Sequence, residues 1–344
     1  MNLSLPSLEA ILTRIPTLTV GVVGDLFLDR YLDIDARLSE PSLETGLDAY
    51  QVVGVRPHPG AAGTVINNLI ALGVQEVKAF AVIGDDGEGY ELRMALANLK
   101  RVDARGILAW PGRRTPTYTK PMLQEAGRPP RELNRLDIKN RTPLPGAAED
   151  EIIRLVAEAW PNLDALVVLD QVSEAECGAV TSRVREQLTT LAQADPRKVA
   201  LADSRERICL FHAMWLKPNR RECVRAVGGT DTGPDSVRAA ATVLARRAGR
   251  PLFCTCGEEG IYVVEPDGGT VRETLVPGVK LDGPIDPVGA GDSVSAALTC
   301  AIAAGASGID AAAFANIVAS ITIQQIGTTG TASPEQIRRR WQEG

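Results

Sequence analysis

The residues in this chain whose types and spacing best suit chemistry lie in Asp286-Pro287-Val288-Gly289-Ala290-Gly291-Asp292-Ser293. Gly289, Ala290 and Gly291 carry little or no side chain, so a ligand can approach their backbone closely. The apolar run that follows, Val294 to Ala304, reads as a helix. The first N–H groups of a helix lack intrahelical partners, and the helix dipole favours negative charge there. The spacing therefore predicts an anion cradle at the backbone of Gly289 to Asp292, with the Asp292 carboxylate inside it. A carboxylate beside a bound anion is costly unless it has work to do, such as taking a proton from a hydroxyl. Taken alone, Asp292 and Ser293 would equally serve as helix caps.

Other candidates sit where elements must end. Leu18 to Gly24 reads as a buried central strand, and Asp25 and Asp29 follow its C-terminal end. Open parallel sheets bind ligands just beyond such ends. Two carboxylates can accept directed hydrogen bonds from sugar hydroxyls, although a solvated turn would look the same. Pro59-Gly60-Ala61-Ala62-Gly63 is a second small-residue turn, leading into a helix over 64–72 that Gly73 closes. Pro218-Asn219-Arg220-Arg221-Glu222 has the form of a capping box. Gly257 and Gly260, three apart after Thr255, let backbone amides approach a nucleotide phosphate. Arg113, Arg114 and Lys120 could serve a phosphorylated ligand or simply form a solvated face.

Two negatives narrow the field. Val294 stands where the third glycine of a dinucleotide-binding fingerprint belongs, and no Gly-Lys pair exists for a Walker A loop. Only two histidines are present, His58 and His212, which argues against a His-based metal site or triad. The six cysteines show no zinc-ribbon spacing, and Cys254 and Cys256 read as small core residues.

The elements around these residues alternate. Strand-like runs at Val77 to Gly84, Leu163 to Leu169, Lys198 to Ala202, Met214 to Lys217 and Leu252 to Thr255 are interleaved with helical patterns at Tyr90 to Leu99, Ala147 to Trp160, Ser173 to Ala192 and Asp310 to Gln325. That spacing is the signature of βαβ units and an α/β fold with a mostly parallel sheet. Leu32 to Arg56 is of mixed polarity and reads as strands of a small flap. At 344 residues with 44% apolar content, the chain can bury a substantial core. A net charge of −6 argues against nucleic-acid or anionic-membrane surfaces. No run reaches a membrane span and no signal-peptide pattern opens the chain, so a cytoplasmic location is the default expectation.

The central octamer resembles the C-terminal signature of the ribokinase-like (PfkB) carbohydrate kinases, Asp-x-x-Gly-Ala-Gly-Asp, and further motifs follow in family order. Gly24 to Tyr31 and Arg135-Leu136-Asp137 resemble the D-glycero-D-manno-heptose 7-phosphate kinase branch. The resemblance implies a single ribokinase-like domain over 1–344, with a central mostly parallel sheet flanked by helices. A small β lid would use strands at about 32–56 and 107–124 and pair two subunits into a homodimer. Asp292 would be the base, and the amides of Gly289, Ala290, Gly291 and Asp292 the anion hole. Asp29 would contact the acceptor's hydroxyls, joined on the acceptor side by Asp25, Gly60, Ala61, Thr64, Asn68, Lys120 and Arg135. Asn219 and Glu222 would organise Mg2+ and the triphosphate of ATP, Glu222 through water. Thr255, Gly257, Gly260 and Asn316 would line the nucleotide. Asp286 could help hold a monovalent cation such as K+.

The sequence departs from the pattern in places. Ala61 and Thr64 replace a glycine and an asparagine, and Gln171-Val172-Ser173-Glu174 stands where the heptose kinases carry Tyr-Gly-Lys-Gly. A cytidylyltransferase-like domain of the kind fused to bifunctional members is not expected. The expected activity is ATP-dependent phosphorylation of a sugar or sugar-phosphate hydroxyl, the anomeric one in a heptose 7-phosphate. The alternatives are another sugar or nucleoside kinase of this fold, or a silent sugar- or nucleotide-binding regulator.

Overall fold

The computed structural model describes residues 3–343. Its organising element is a nine-stranded sheet, seven strands of which run parallel. Thr19–Gly24 lies inside it, between Glu76–Gly84 on one side and Ala165–Asp170 on the other. Both neighbours are almost wholly buried, as parallel strands covered on two faces must be. Beyond Ala165–Asp170 come Val199–Ser204, Trp215–Leu216 and Leu252–Thr255, and then the antiparallel pair Ile261–Asp267 and Thr270–Val276.

Helices cover both faces, so the core is split in two by the sheet. One cluster packs Ala62–Leu72, Ala290–Ala303 and Gly308–Thr322 against the inner valines and isoleucines. The other packs Gly146–Ala159, Ser182–Ala194 and Pro234–Ala248. Ala290–Ala303 and Gly308–Thr322 are apolar nearly all round, the pattern of helices buried on most sides. Among the described residues no helix is long and apolar enough to cross a membrane.

The lid is a separate five-stranded sheet of Leu26–Asp35, Val52–Ala61, Thr117–Gln124, Leu136–Ile138 and the short Arg131–Glu132. It begins earlier than expected: Leu26–Asp35 starts two residues after the central strand ends, so Asp29 belongs to the lid and not to a loop. Residues 107–110 are also not lid. Val102–Trp110 pairs with Glu76–Gly84 at the edge of the main sheet. A further expectation fails between 173 and 181, where no helix forms and the helix starts at Ser182, capped by Thr181. The backbone of that stretch is held instead by a buried side chain described next.

Candidate active site

Gly289 occupies the left-handed region (φ 79°, ψ 0°) immediately before the helix Ala290–Ala303. A Cβ there would sit 3.2 Å from the Thr329 methyl and 3.4 Å from that of Thr64, so the turn is closed in by the tail loop and by the helix after Gly60. The Ala290 N–H donates to the Pro287 carbonyl at 3.1 Å, which removes it from the four-amide hole expected from the sequence. Among the described residues, the N–H groups of Gly289, Gly291 and Asp292 have no hydrogen-bond partner. These three unpartnered donors point along the helix dipole, an arrangement able to receive an anion.

Asp292 stands in the first turn of that helix. Burial pushes its carboxyl up to about 7, and the neighbouring Asp203 pushes the same way, while Lys217 and Arg205 pull it back. A carboxyl poised near neutrality is matched to taking a proton at physiological pH.

Lys217, which falls outside the motifs, lies beneath the turn. It is 3% exposed, and its ammonium is 3.0 Å from Asp203 Oδ2. The Ser295 hydroxyl donates to that same oxygen at 2.8 Å. Lys217 Nζ comes within 3.6 Å of where a Cβ on Gly291 would be. Burial pulls its pKa down, but Asp203, Glu222 and Asp292 more than offset this, so the amine is held charged. The sequence signal was available: Lys217 stands directly after the strand Trp215–Leu216 and directly before Pro218-Asn219.

Asp29 lies on the lid strand Leu26–Asp35 with Lys120 Nζ 3.1 Å from its Oδ1. Burial pulls the Lys120 amine down, but Asp29 and Tyr31 outweigh it and keep the charge. Gly60 faces Asp29 so closely that a Cβ would lie 2.7 Å from Asp29 Oδ2, which explains glycine at that position. Ala61 takes φ 52° and ψ −112° at the start of Ala62–Leu72, a conformation that favours glycine. Thr64 and Asn68 are buried on that helix, and Asn68 Nδ2 donates to the Thr64 carbonyl at 3.0 Å. Arg135 is exposed and bound to Asp137 at 2.6 Å, its guanidinium 4.1 Å from the centre of the Tyr118 ring.

Asp25 requires correction as a hydroxyl ligand. It is 4% exposed and accepts from the N–H groups of Gln171, Val172 and Ala179 at 2.7–2.8 Å. Its oxygens are engaged in holding the two ends of the 171–179 segment. Gly178 is tied to the same contact, since a Cβ there would fall 2.5 Å from Asp25 Oδ1.

The capping box at Asn219 and Glu222 is fully formed. The Glu222 N–H donates to Asn219 Oδ1 at 2.9 Å, and the Asn219 N–H donates to Glu222 Oε2 at 2.8 Å. Glu222 Oε1 makes no hydrogen bond among the described residues. Burial raises the Glu222 carboxyl despite Lys217 nearby. No group of three or more metal-ligating side chains exists among the described residues. A cation here would hold one carboxylate oxygen and take the rest of its shell from water and phosphate, which suits Mg2+.

Thr255 bridges to Asn219 across the strand ends. Gly260 (φ 103°) is demanded by contact, since a Cβ would meet the Val276 carbonyl at 2.2 Å, whereas Gly257 (φ 63°) faces open space. Asn316 Nδ2 is spent on the carbonyls of Val276 and Pro277, both at 3.0 Å, so its side chain tethers backbone and is not free to meet a nucleotide. Asp286 joins the central turn to the tail loop: Val288 N–H donates to one of its oxygens and Gly327 N–H to the other, at 3.1 and 3.0 Å.

A profile described as pfkB family carbohydrate kinase matches residues 31–336. The bifunctional protein HldE of Trichlorobacter lovleyi is 32% identical over 337 residues, covering 96% of this chain and 64% of its own length. The chain thus spans just under two thirds of that relative. Ribokinase of Arabidopsis thaliana, solved with ribose and ATP, superposes with a TM-score of 0.67 at 15% identity, covering 94% of this chain and 98% of the other. A putative ribokinase II from Escherichia coli, solved with ATP and Mg2+, superposes at 0.64 with 16% identity and 95% and 100% coverage. These two structural likenesses establish the fold.

Proposed function

The chain belongs to the pfkB family of carbohydrate kinases, and we propose that it transfers the γ-phosphoryl group of ATP to a sugar-phosphate hydroxyl, the anomeric one of a heptose 7-phosphate. One observation supports this most directly: a carboxyl held near pKa 7 stands at the same turn as three unpartnered amides, with a buried ammonium beneath. The acceptor hydroxyl gives its proton to Asp292, and its oxygen attacks phosphorus. The bond from phosphorus to the ADP oxygen breaks opposite the incoming oxygen. Charge on the equatorial oxygens falls to the Gly289, Gly291 and Asp292 amides and to Lys217. This is positioning plus electrostatic stabilisation, as phosphoryl transfer requires.

Glu222 and Asn219 would hold Mg2+ through water, and when bound it neutralises the triphosphate. Thr255, Gly257 and Gly260 place that triphosphate by backbone. Asp29, fixed by Lys120 and abutting Gly60, accepts from the sugar's hydroxyls. Asp286 keeps lone pairs for a monovalent cation between the two loops it joins. The lid's outer strand exposes Val52, Val53 and Val55, an edge suited to pairing with a second copy in the homodimer this reading includes.

The test is ADP release across a panel of phosphorylated and free sugars, with 31P NMR of the product. Acceptor-dependent ADP formation and a new anomeric phosphate resonance are expected with heptose 7-phosphate. Ligand binding without turnover on any acceptor would leave the regulator alternative in its place.

A further inference from the structure

We infer that Arg205 is a further catalytic residue, whose guanidinium grips the phosphoryl group as it passes from ATP to the acceptor. The inference rests on the kinase reading and adds to it a residue outside the motifs. The strand Val199–Ser204 places it. Leu201 belongs to the core cluster under Ala290–Ala303, and Ala200 and Ala202 to the opposite one, so the odd-numbered side chains of this strand face that helix. Asp203 bears out the alternation by accepting from the Ser295 hydroxyl at 2.8 Å. The Arg205 N–H still donates to the Asp170 carbonyl of the neighbouring strand, at 3.1 Å, so the ladder and its alternation run one residue past the strand. Arg205 thus lies on the face of Asp203, one pleat nearer the strand's C-terminal end. Asp292 lies on the face of Ser295, one turn nearer the start of the helix. The two alternations bring Arg205 and Asp292 together above the Asp203–Ser295 contact.

The surrounding charges give it a role. Burial raises the carboxyls of both Asp292 and Glu222, and Arg205 is among the cations that pull each back, so its charge stands near the base and the capping-box carboxylate alike. Arg205 also lines the cleft between the lid and the main sheet, with Phe27, Tyr118 and Gln171. A phosphoryl group crossing there brings negative charge among Asp29, Asp203, Glu222 and Asp292. Lys120 is held by Asp29 at 3.1 Å and Lys217 by Asp203 at 3.0 Å. Arg207 is bound to Asp170, and Arg225 to Glu206. Arg205 is exposed, and its side chain makes no hydrogen bond or ion pair among the described residues. Elsewhere on the surface such an arginine would simply be solvated; here its charge is uncommitted at the point where charge must be moved. A guanidinium keeps its protons at any working pH and offers a planar fork of donors to phosphate oxygens. It takes no proton and forms no covalent bond. It stabilises charge on the equatorial oxygens while the bond to the acceptor oxygen forms and the bond to the ADP oxygen breaks.

The experiment compares wild type, Arg205→Met and Arg205→Lys from pH 6 to 9, with the acceptor that the wild type uses fastest. In Arg205→Met kcat should fall by at least ~10²-fold. Both KM values should stay within a factor of a few, the split expected of a contact made only in the transition state. The pH midpoint should rise above the wild-type value. The melting temperature should not move, since the side chain has no partner to lose. Arg205→Lys keeps the point charge and loses the fork, so its pH midpoint should stay while kcat still falls. Recovery of the full rate by Arg205→Met at pH 9 would overturn the inference, because Arg205 would then act through Asp292 alone. So would an unchanged kcat in Arg205→Met, or a loss carried by either KM. If the wild type phosphorylates no acceptor, the kinase reading fails by itself. Thermal stabilisation by ADP with aluminium fluoride, a planar stand-in for the phosphoryl group in flight, then decides the role of Arg205. Stabilisation beyond that given by ADP alone, present in wild type and absent in Arg205→Met, supports it; equal stabilisation in both, or none in either, rejects it.

Discussion

Replacing Asp292 by asparagine keeps the shape of the side chain and removes its ability to take a proton. General-base catalysis contributes typically ~10²–10⁴ in rate, which is ~3–5 kcal/mol of activation free energy. With no base in its place, kcat should fall by at least ~10², while ATP affinity by calorimetry stays within a factor of a few. The wild-type rate should rise with pH through a midpoint near 7, since burial holds the carboxyl at about that value. About a tenth of the enzyme is then competent at pH 6 and about nine tenths at pH 8.

The same shift carries a stability consequence of definite sign. The folded pKa lies above the ordinary value of 3.8, so the native state binds more protons than the unfolded chain between roughly pH 4 and 7. Stability from this group is full below the lower limit and is lost as pH rises through the upper one. The loss is up to ~4 kcal/mol, so Asp292→Asn should be more stable than wild type at pH 8 and similar at pH 4. A variant that turns over at near-normal rate, or a wild-type rate flat from pH 6 to 8, would refute the base assignment.

Three further outcomes follow from the geometry. Lys217→Met should lower kcat by ~10²-fold or more and raise the pH midpoint, because a cation that holds the Asp292 carboxyl down is gone. It should also destabilise the fold by ~3–5 kcal/mol through the unpaired Asp203, and pairing it with Asp203→Asn should recover stability in denaturant titrations but not rate. Gly60→Ala would place a methyl 2.7 Å from Asp29 Oδ2; the forced shift should cut kcat/KM for the acceptor by roughly 10²-fold with the KM of ATP unaffected in steady-state kinetics. Ala61→Gly should relieve the positive φ and stabilise the protein by ~1–2 kcal/mol in thermal unfolding; a destabilised variant would show that the conformation is not strained.

Local chemistry was readable without coordinates. Glycine and alanine at 289–291 announce a bare turn, and the apolar run after it announces a buried helix. Asn219 and Glu222 announce a capping box, because each of these depends on neighbours a few residues away. The alternation of strands and helices likewise announced a mostly parallel sheet. Tertiary packing decided everything that depends on distant partners. Asp25 looked like a ligand because its reach to amides 146 to 154 residues onward leaves no mark in its own neighbourhood. Lys217 looked like the end of a strand until Asp203 and Ser295 were seen to fix it under the turn. Asp29 could be placed on the lid only once its pairing with strands on either side was known. A charge becomes a base, a staple or a counter-ion according to which other charges and dipoles surround it, and the folded chain alone sets those distances.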